Sequence, residues 1–288
     1  MEIKKMAFAG SWYPDTAKEC ESSIRQFLKD STGPLSGKFM GGIVPHAGWY
    51  YSGSIACRVI ASLACEGTPD EEVDTIILFG AHMHPQSEPF ILVEGAVETP
   101  LGEIKVDVEL VDRICEGISL RSRSASKFPE DNTLELQYPF IRYFFPNAEI
   151  VVVGIAPSFF APIAGTMAVS EAQRLSRNIR IIGSTDMTHY GPDFGFTSAG
   201  TGTEAVEWVK NENDRAAIDA MLAMDDENII SQGLKHKNMC CPGAAAATAA
   251  ACRKLGASRA VMLDYATSFD KTESESFVGY SGILYSME

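Results

Sequence analysis

The chain has 288 residues, 45% of them hydrophobic and 22% charged, which suits a folded globular protein with a sizeable core and excludes the low hydrophobicity of a disordered chain. Its formal net charge of −14 repels a phosphate backbone, so neither nucleic acid nor membrane is an expected partner, and Arg121, Arg123 and Lys127 read as one solvated loop. No apolar run reaches a membrane span and the start MEIKKMAFAGSWYP lacks a signal peptide's apolar stretch. With seven cysteines (Cys20, Cys57, Cys65, Cys115, Cys240, Cys241 and Cys252) in an odd, scattered set, reduced thiols and a cytoplasmic location are expected.

Along the chain, Ala17, Cys20, Ile24, Phe27 and Leu28 recur at helical spacing behind Asp15, which can cap a helix. GKFMGGIV is a short buried strand that ends at Pro45 and delivers His46; a helix is expected from Ser52. The apolar run Val73 to Phe79 is a second strand, with His82 and His84 at its exit. Phe90 to Lys105 alternates around the turn Thr99-Pro100-Leu101-Gly102, a β-excursion, and Asp107 to Ile118 resumes helical spacing. Three more strands are expected at Glu149 to Pro157, at Ile179 to Ile182 with Asp186 and His189 beyond its end, and at RAVMLDYATS from Arg259. Strands alternating with helices predict a single α/β domain over residues 1–288, with a mainly parallel central sheet covered by helices on both faces.

In such a sheet, ligands bind outside the carboxyl ends of the strands. Four of the five histidines, His46, His82, His84 and His189, fall within a few residues of three such ends, whereas His236 lies in the polar run LKHKN and is expected in solvent. A lone histidine is more often a satisfied hydrogen-bonding residue than a ligand, but histidines at converging strand ends make a site. Cys240 and Cys241 precede an Ala-rich helical segment, and a thiol at a helix N-terminus is biased toward the thiolate that binds metals; the bland reading is a pair of small buried thiols. Asp186 and His189 share one loop and suit a ligand, an orienting group or an acid/base pair; the bland reading is helix capping by Ser184, Thr185 or Asp186. Trp49, Tyr50 and Tyr51 beside His46 are read as packing rather than a binding surface.

AGSWYP (Ala9 to Pro14), VPHAGWYYSG (Val44 to Gly53), LFGAHMHP (Leu78 to Pro85), TPLGEI (Thr99 to Ile104), LELQYPF (Leu134 to Phe140), GSTDMTHYG (Gly183 to Gly191), the Cys240 region, LDYATS and VGYSG occur in an order that resembles the MEMO family, nearly end to end. The fold of that family is similar to the class III extradiol ring-cleaving dioxygenases with a non-haem iron. The resemblance implies that His46, His82 and Cys240 are metal ligands, with Asp186 and His189 as catalytic residues of the same pocket. It selects His82 over His84 and Cys240 over Cys241, alternatives that the residues by themselves leave open. This chain departs from the family in its GAHMH stretch, in Cys-Pro-Gly after Cys240, and at Asn132, where many members carry histidine.

The expected cofactor is a divalent or redox-active metal, Fe(II) first, with copper or zinc as alternatives, because a thiolate is softer than the carboxylate of an extradiol iron site. The expected function is a redox or dioxygenase-like metalloprotein acting on a small molecule. The alternative is a catalytically inactive module that binds a peptide or small ligand in the same pocket, and hydrolysis by zinc-bound water ranks last.

Overall fold

The computed structural model describes residues 1–30, 33–64 and 72–287; Cys65 lies outside them. In chain order the elements are β1 (Ile3–Lys4), α1 (Ala17–Lys29), β2 (Phe39–Val44), α2 (Trp49–Ala64), β3 (Thr75–Gly80), β4 (Phe90–Leu92), β5 (Ala96–Val97), β6 (Ile104–Lys105), α3 (Val108–Gly117), β7 (Arg121–Arg123), α4 (Asn132–Glu135) and α5 (Tyr138–Phe144). They continue with β8 (Glu149–Gly154), α6 (Phe160–Arg174), β9 (Ile179–Ser184), β10 (His189–Tyr190), α7 (Thr203–Trp208), α8 (Asp214–Leu222), α9 (Asp226–His236), α10 (Pro242–Lys254), β11 (Arg259–Thr267) and β12 (Phe277–Ser286).

The result is a single α/β domain. Its main sheet runs β10-β12-β2-β9-β3-β8-β4-β7, with β11 paired to β12, and β1, β5 and β6 form a separate small sheet. At the centre, β2, β9, β3 and β8 are parallel neighbours. Their sequences are apolar runs rather than alternating patterns because helices cover both faces. Antiparallel pairs lie to either side: β12 on β2, β11 on β12, and β4 on β8.

Two helices clamp the middle of this sheet. A Cβ on Gly41 would meet Cys252 of α10, and one on the next residue, Gly42, would meet Val59 of α2, so these helices lie on opposite faces. Every alanine of α10 is buried: its small side chains let it lie close to the sheet on one side and to α6 on the other.

Several expectations shift at their edges. α1 is capped by Thr16, whose hydroxyl accepts the Glu19 N–H, and not by Asp15. α2 starts at Trp49, three residues before Ser52. Arg121 to Arg123 form the edge strand β7, paired with β4, rather than a loop. The expected strand from Arg259 is β11, but it is half-exposed and antiparallel, because only a short link separates it from β12 and leaves no room for a helical crossover. β12 itself, FVGYSGILYS, is buried over most of its length; serine and glycine interrupt the apolar run that would have announced it. Among the described residues, no helix is long and apolar enough to cross a membrane.

Candidate metal centre

Three neighbouring strands end level with one another, Val44 of β2 pairing with Ser184 of β9 and Phe79 of β3 with Gly183. Two residues beyond each strand stands a polar side chain: His46 after β2, His82 after β3 and Asp186 after β9. Parallel strands in register therefore bring together residues that are 36 to 140 positions apart by the numbering. Cys240 and Cys241 arrive from the start of α10, tied to the same loop because Cys240 N–H donates to the Asp186 carbonyl (3.1 Å) and Cys241 N–H to Thr185 Oγ1 (3.0 Å).

His46 is buried at 1% exposure. Its backbone N–H donates to Asp186 Oδ1 at 2.6 Å, its carbonyl accepts from Asn132 Nδ2 at 3.0 Å, and its ring Nδ1 meets Ser184 Oγ at 3.0 Å. These bonds aim Nε2 at Cys240 Sγ, 3.2 Å away. The Gln137 amide, donating to the Pro45 carbonyl at 3.0 Å, fixes the same turn from below.

His82 sits on a strained turn. Ala81 before it has φ +76°, a left-handed conformation that costs a non-glycine residue of order 1 kcal/mol. Two side chains hold the turn: Thr133 Oγ1 accepts the Ala81 N–H at 2.6 Å, and Asp131 accepts the His82 N–H at 3.1 Å while lying 3.7 Å from its Nδ1. The His82 ring then stands edge-on to His46, centroids 5.0 Å apart, at the exposed mouth of the site. His84 is exposed and outside this group.

The nitrogen or sulfur donors of His46, His82, Cys240 and Cys241 all lie within 4.8 Å of one another. Burial by itself would raise the Cys240 thiol, but hydrogen bonding from Cys241 and the imidazoles of His46 and His189 hold it well below the ordinary thiol range. Burial pulls the His46 and His189 imidazoles down, and the neighbouring Asp186 carboxylate and Cys240 thiolate more than offset it, so both are raised. Cys241 is pushed up by burial and by the adjacent Cys240 thiolate. A thiol held low beside raised imidazoles is a donor set whose protons a metal cation would displace.

Asp186 is 3% exposed, and burial raises its carboxyl despite the opposing His46 imidazole. Its Oδ2 faces both His46 Nε2 (3.9 Å) and His189 Nε2 (4.0 Å). No helix follows it, so it caps none; the capping hydroxyl of this loop is Thr185, working across to α10. His189 Nε2 is buried and finds no hydrogen-bond partner among the described residues. That atom, beside the half-buried Cys240 sulfur and the two imidazoles of His46 and His82, fits a site built around a bound ion and its ligands. A cavity of about 310 Å³ opens here, lined by Met187, His189, Phe194, Phe196, Lys237 and Cys240 among others.

A second buried group braces the loop from behind. Asp214 accepts the Thr188 N–H (2.9 Å), the Thr188 hydroxyl and the Tyr265 hydroxyl (2.7 Å), and Asn213 Nδ2 donates to Thr188 Oγ1 at 2.9 Å. Burial outweighs these bonds and pushes the Asp214 carboxyl up to about 6. A raised acid contributes stability that is complete below its unfolded value, near 4, and is lost as pH rises through 6. Relative to Asp214→Asn, the wild type should lose on the order of 3 kcal/mol between pH 4 and pH 7, measured by urea denaturation of both proteins. A difference that stays constant over that range would refute the assignment.

Of the aromatic residues beside His46, Trp49 is buried and stacks on Phe140 (centroids 4.1 Å), whereas Tyr50 is exposed. Ser184 and Thr185 read from the sequence only as candidate helix caps, and Asp131 and Thr133 carried no assigned role. An aspartate capping a short helical run, with Thr133 in its first turn, was the signal available for the last two.

Residues 4–284 match the family model described as Memo-like protein. A MEMO1 family protein of Pyrococcus furiosus is 30% identical over 290 residues, covering 98% of each chain. One from Thermococcus onnurineus is 30% identical (98% of this chain, 99% of the relative), and one from Methanothermobacter thermautotrophicus is 32% identical (97% and 99%).

Proposed function

This chain belongs to the Memo-like protein family, and from that premise we propose that it is a metal-binding redox protein: His46, His82 and Cys240 hold the ion, Fe(II) or copper, next to a small-molecule pocket. The observation that carries this reading is the convergence of two imidazoles from the ends of β2 and β3 with the thiols that precede α10, all four donors lying within 4.8 Å of one another. When bound, such an ion supplies one-electron chemistry and activation of dioxygen. The protein's own residues do the rest. Asp186 fixes the His46 backbone and faces the His189 imidazole, and His189 Nε2 can give or take a proton on the cavity side. The rings of Phe194 and Phe196 keep water from an apolar substrate, and Lys237 can meet an acidic group at its edge. Free thiols at the centre suit a reducing cytoplasm.

One observation favours the alternative of a binding module without turnover. Asn132 is used structurally, donating to the His46 carbonyl, and an amide cannot shuttle protons near neutral pH. The two readings separate in one experiment. Anaerobically purified protein is loaded with Fe(II) or Cu(I), desalted, analysed for metal, then given O2 and a panel of catechols and other phenols. Retained metal with oxygen consumption dependent on the added compound is expected. Retained metal without consumption selects the binding module, and failure to retain either metal overturns the metal reading.

A further inference from the structure

We infer that Cys241 is a fourth ligand of the centre, so that His46, His82, Cys240 and Cys241 together enclose a soft ion in a closed tetrahedral site. The inference rests on the metal-binding reading above and deepens it, since three ligands with an open position describe a different centre from four.

Neighbouring residues in extended chain point their side chains to opposite sides. Here they do not: Cys241, with φ −128° and ψ 60° just before α10, turns so that its sulfur lies 3.7 Å from that of Cys240. In a tetrahedral site with metal–sulfur bonds of about 2.3 Å, two thiolates are about 3.8 Å apart, and a thiolate and an imidazole nitrogen about 3.5 Å apart. The sulfur pair matches the first figure, and the 3.2 Å between Cys240 Sγ and His46 Nε2 approaches the second. The His82 donor completes the group within 4.8 Å.

The backbone holds Cys241 firmly beside the other donors. It is 3% exposed, and its position is fixed by the Thr185 hydroxyl on its own N–H. Its other sulfur contact, the carbonyl of Ala81 at 3.5 Å, belongs to the strained turn that presents His82. The Cys241 thiol donates to that carbonyl, and a metal would displace this proton. Two thiolates and two imidazoles favour zinc or copper(I) over harder Fe(II), and four protein ligands leave no open position. Access to the ion from the 310 Å³ cavity then requires a ligand to be displaced.

Cobalt(II) reports the sulfur count directly, because each coordinated thiolate adds to the near-ultraviolet charge-transfer absorbance. Full-length wild type, Cys241→Ser and Cys240→Ser are each loaded with cobalt, and absorbance is expressed per bound ion. The expected result is a fall to about half in either variant. An unchanged band in Cys241→Ser with full cobalt uptake overturns the fourth ligand and leaves the three-ligand reading standing. No uptake of cobalt or zinc by the wild type overturns both. Should a variant fail to fold, X-ray absorption of the zinc-loaded wild type decides the matter: two sulfur neighbours support the inference and one refutes it.

Discussion

His46→Ala is expected to bind the metal at least about 100-fold more weakly than the wild type while keeping its fold. The imidazole is almost wholly buried and its Nε2 lies 3.2 Å from Cys240 Sγ, so truncation removes a donor from the centre of the group. What holds the turn does not depend on that ring. Asp186 binds the His46 N–H and Asn132 its carbonyl, and both bonds survive truncation to alanine. A chelator competition titration measures the affinity, and circular dichroism checks the fold. An affinity within threefold of wild type would remove His46 from the ligand set. Asp186→Asn, by contrast, keeps the ligands and disturbs only their support.

Gly165→Ala, outside the centre, is expected to destabilise the protein strongly. On an open helix surface the change would stabilise the protein by about 1 kcal/mol, since glycine is the poorer helix former. Here a Cβ would stand 2.1 Å from the carbonyl oxygen of Ala247 and 2.9 Å from its carbon, both backbone atoms of α10 that no rotamer change can move. α6 and α10 must separate, and overpacking of this kind costs about 3 kcal/mol. The cost is not confined to stability. Cys240 and Cys241 hang from the start of α10, so a shifted helix withdraws both sulfurs from the imidazoles. The melting temperature should fall by about 6 °C or more, with metal affinity falling alongside. A stabilised or unchanged variant would show that the contact between these helices is looser than described.

Much of the scaffold was readable because its signals are local. The parallel strands are unbroken apolar runs, and the residues after them are histidines and an aspartate, so β2, β3 and β9 and the place of the site followed from one principle about strand ends. β12 escaped because its pattern mixes Gly279, Ser281 and Gly282 into a buried strand, and these small residues are explained only by the α2 side chains and the Met187 and Asp214 side chains that press on them. Ser184 and Thr185 were legible only as candidate helix caps; their roles, at His46 Nδ1 and at the Cys241 N–H, depend on partners that arrive from elsewhere in the chain.

By itself, then, the sequence determined the α/β class, the parallel core and the common end of the sheet at which His46, His82, Asp186 and His189 gather, because hydrophobic periodicity and strand exits are properties of neighbouring residues. It left open which of His82 and His84 turns inward and what Cys241 does. Those choices belong to the tertiary structure. The left-handed Ala81, clamped by Thr133 and Asp131, brings His82 into the group while His84 stays in solvent. The turn before α10, tied to the Asp186 loop, brings two adjacent sulfurs to the same point. Both depend on hydrogen bonds between segments far apart in the chain, which no local pattern encodes.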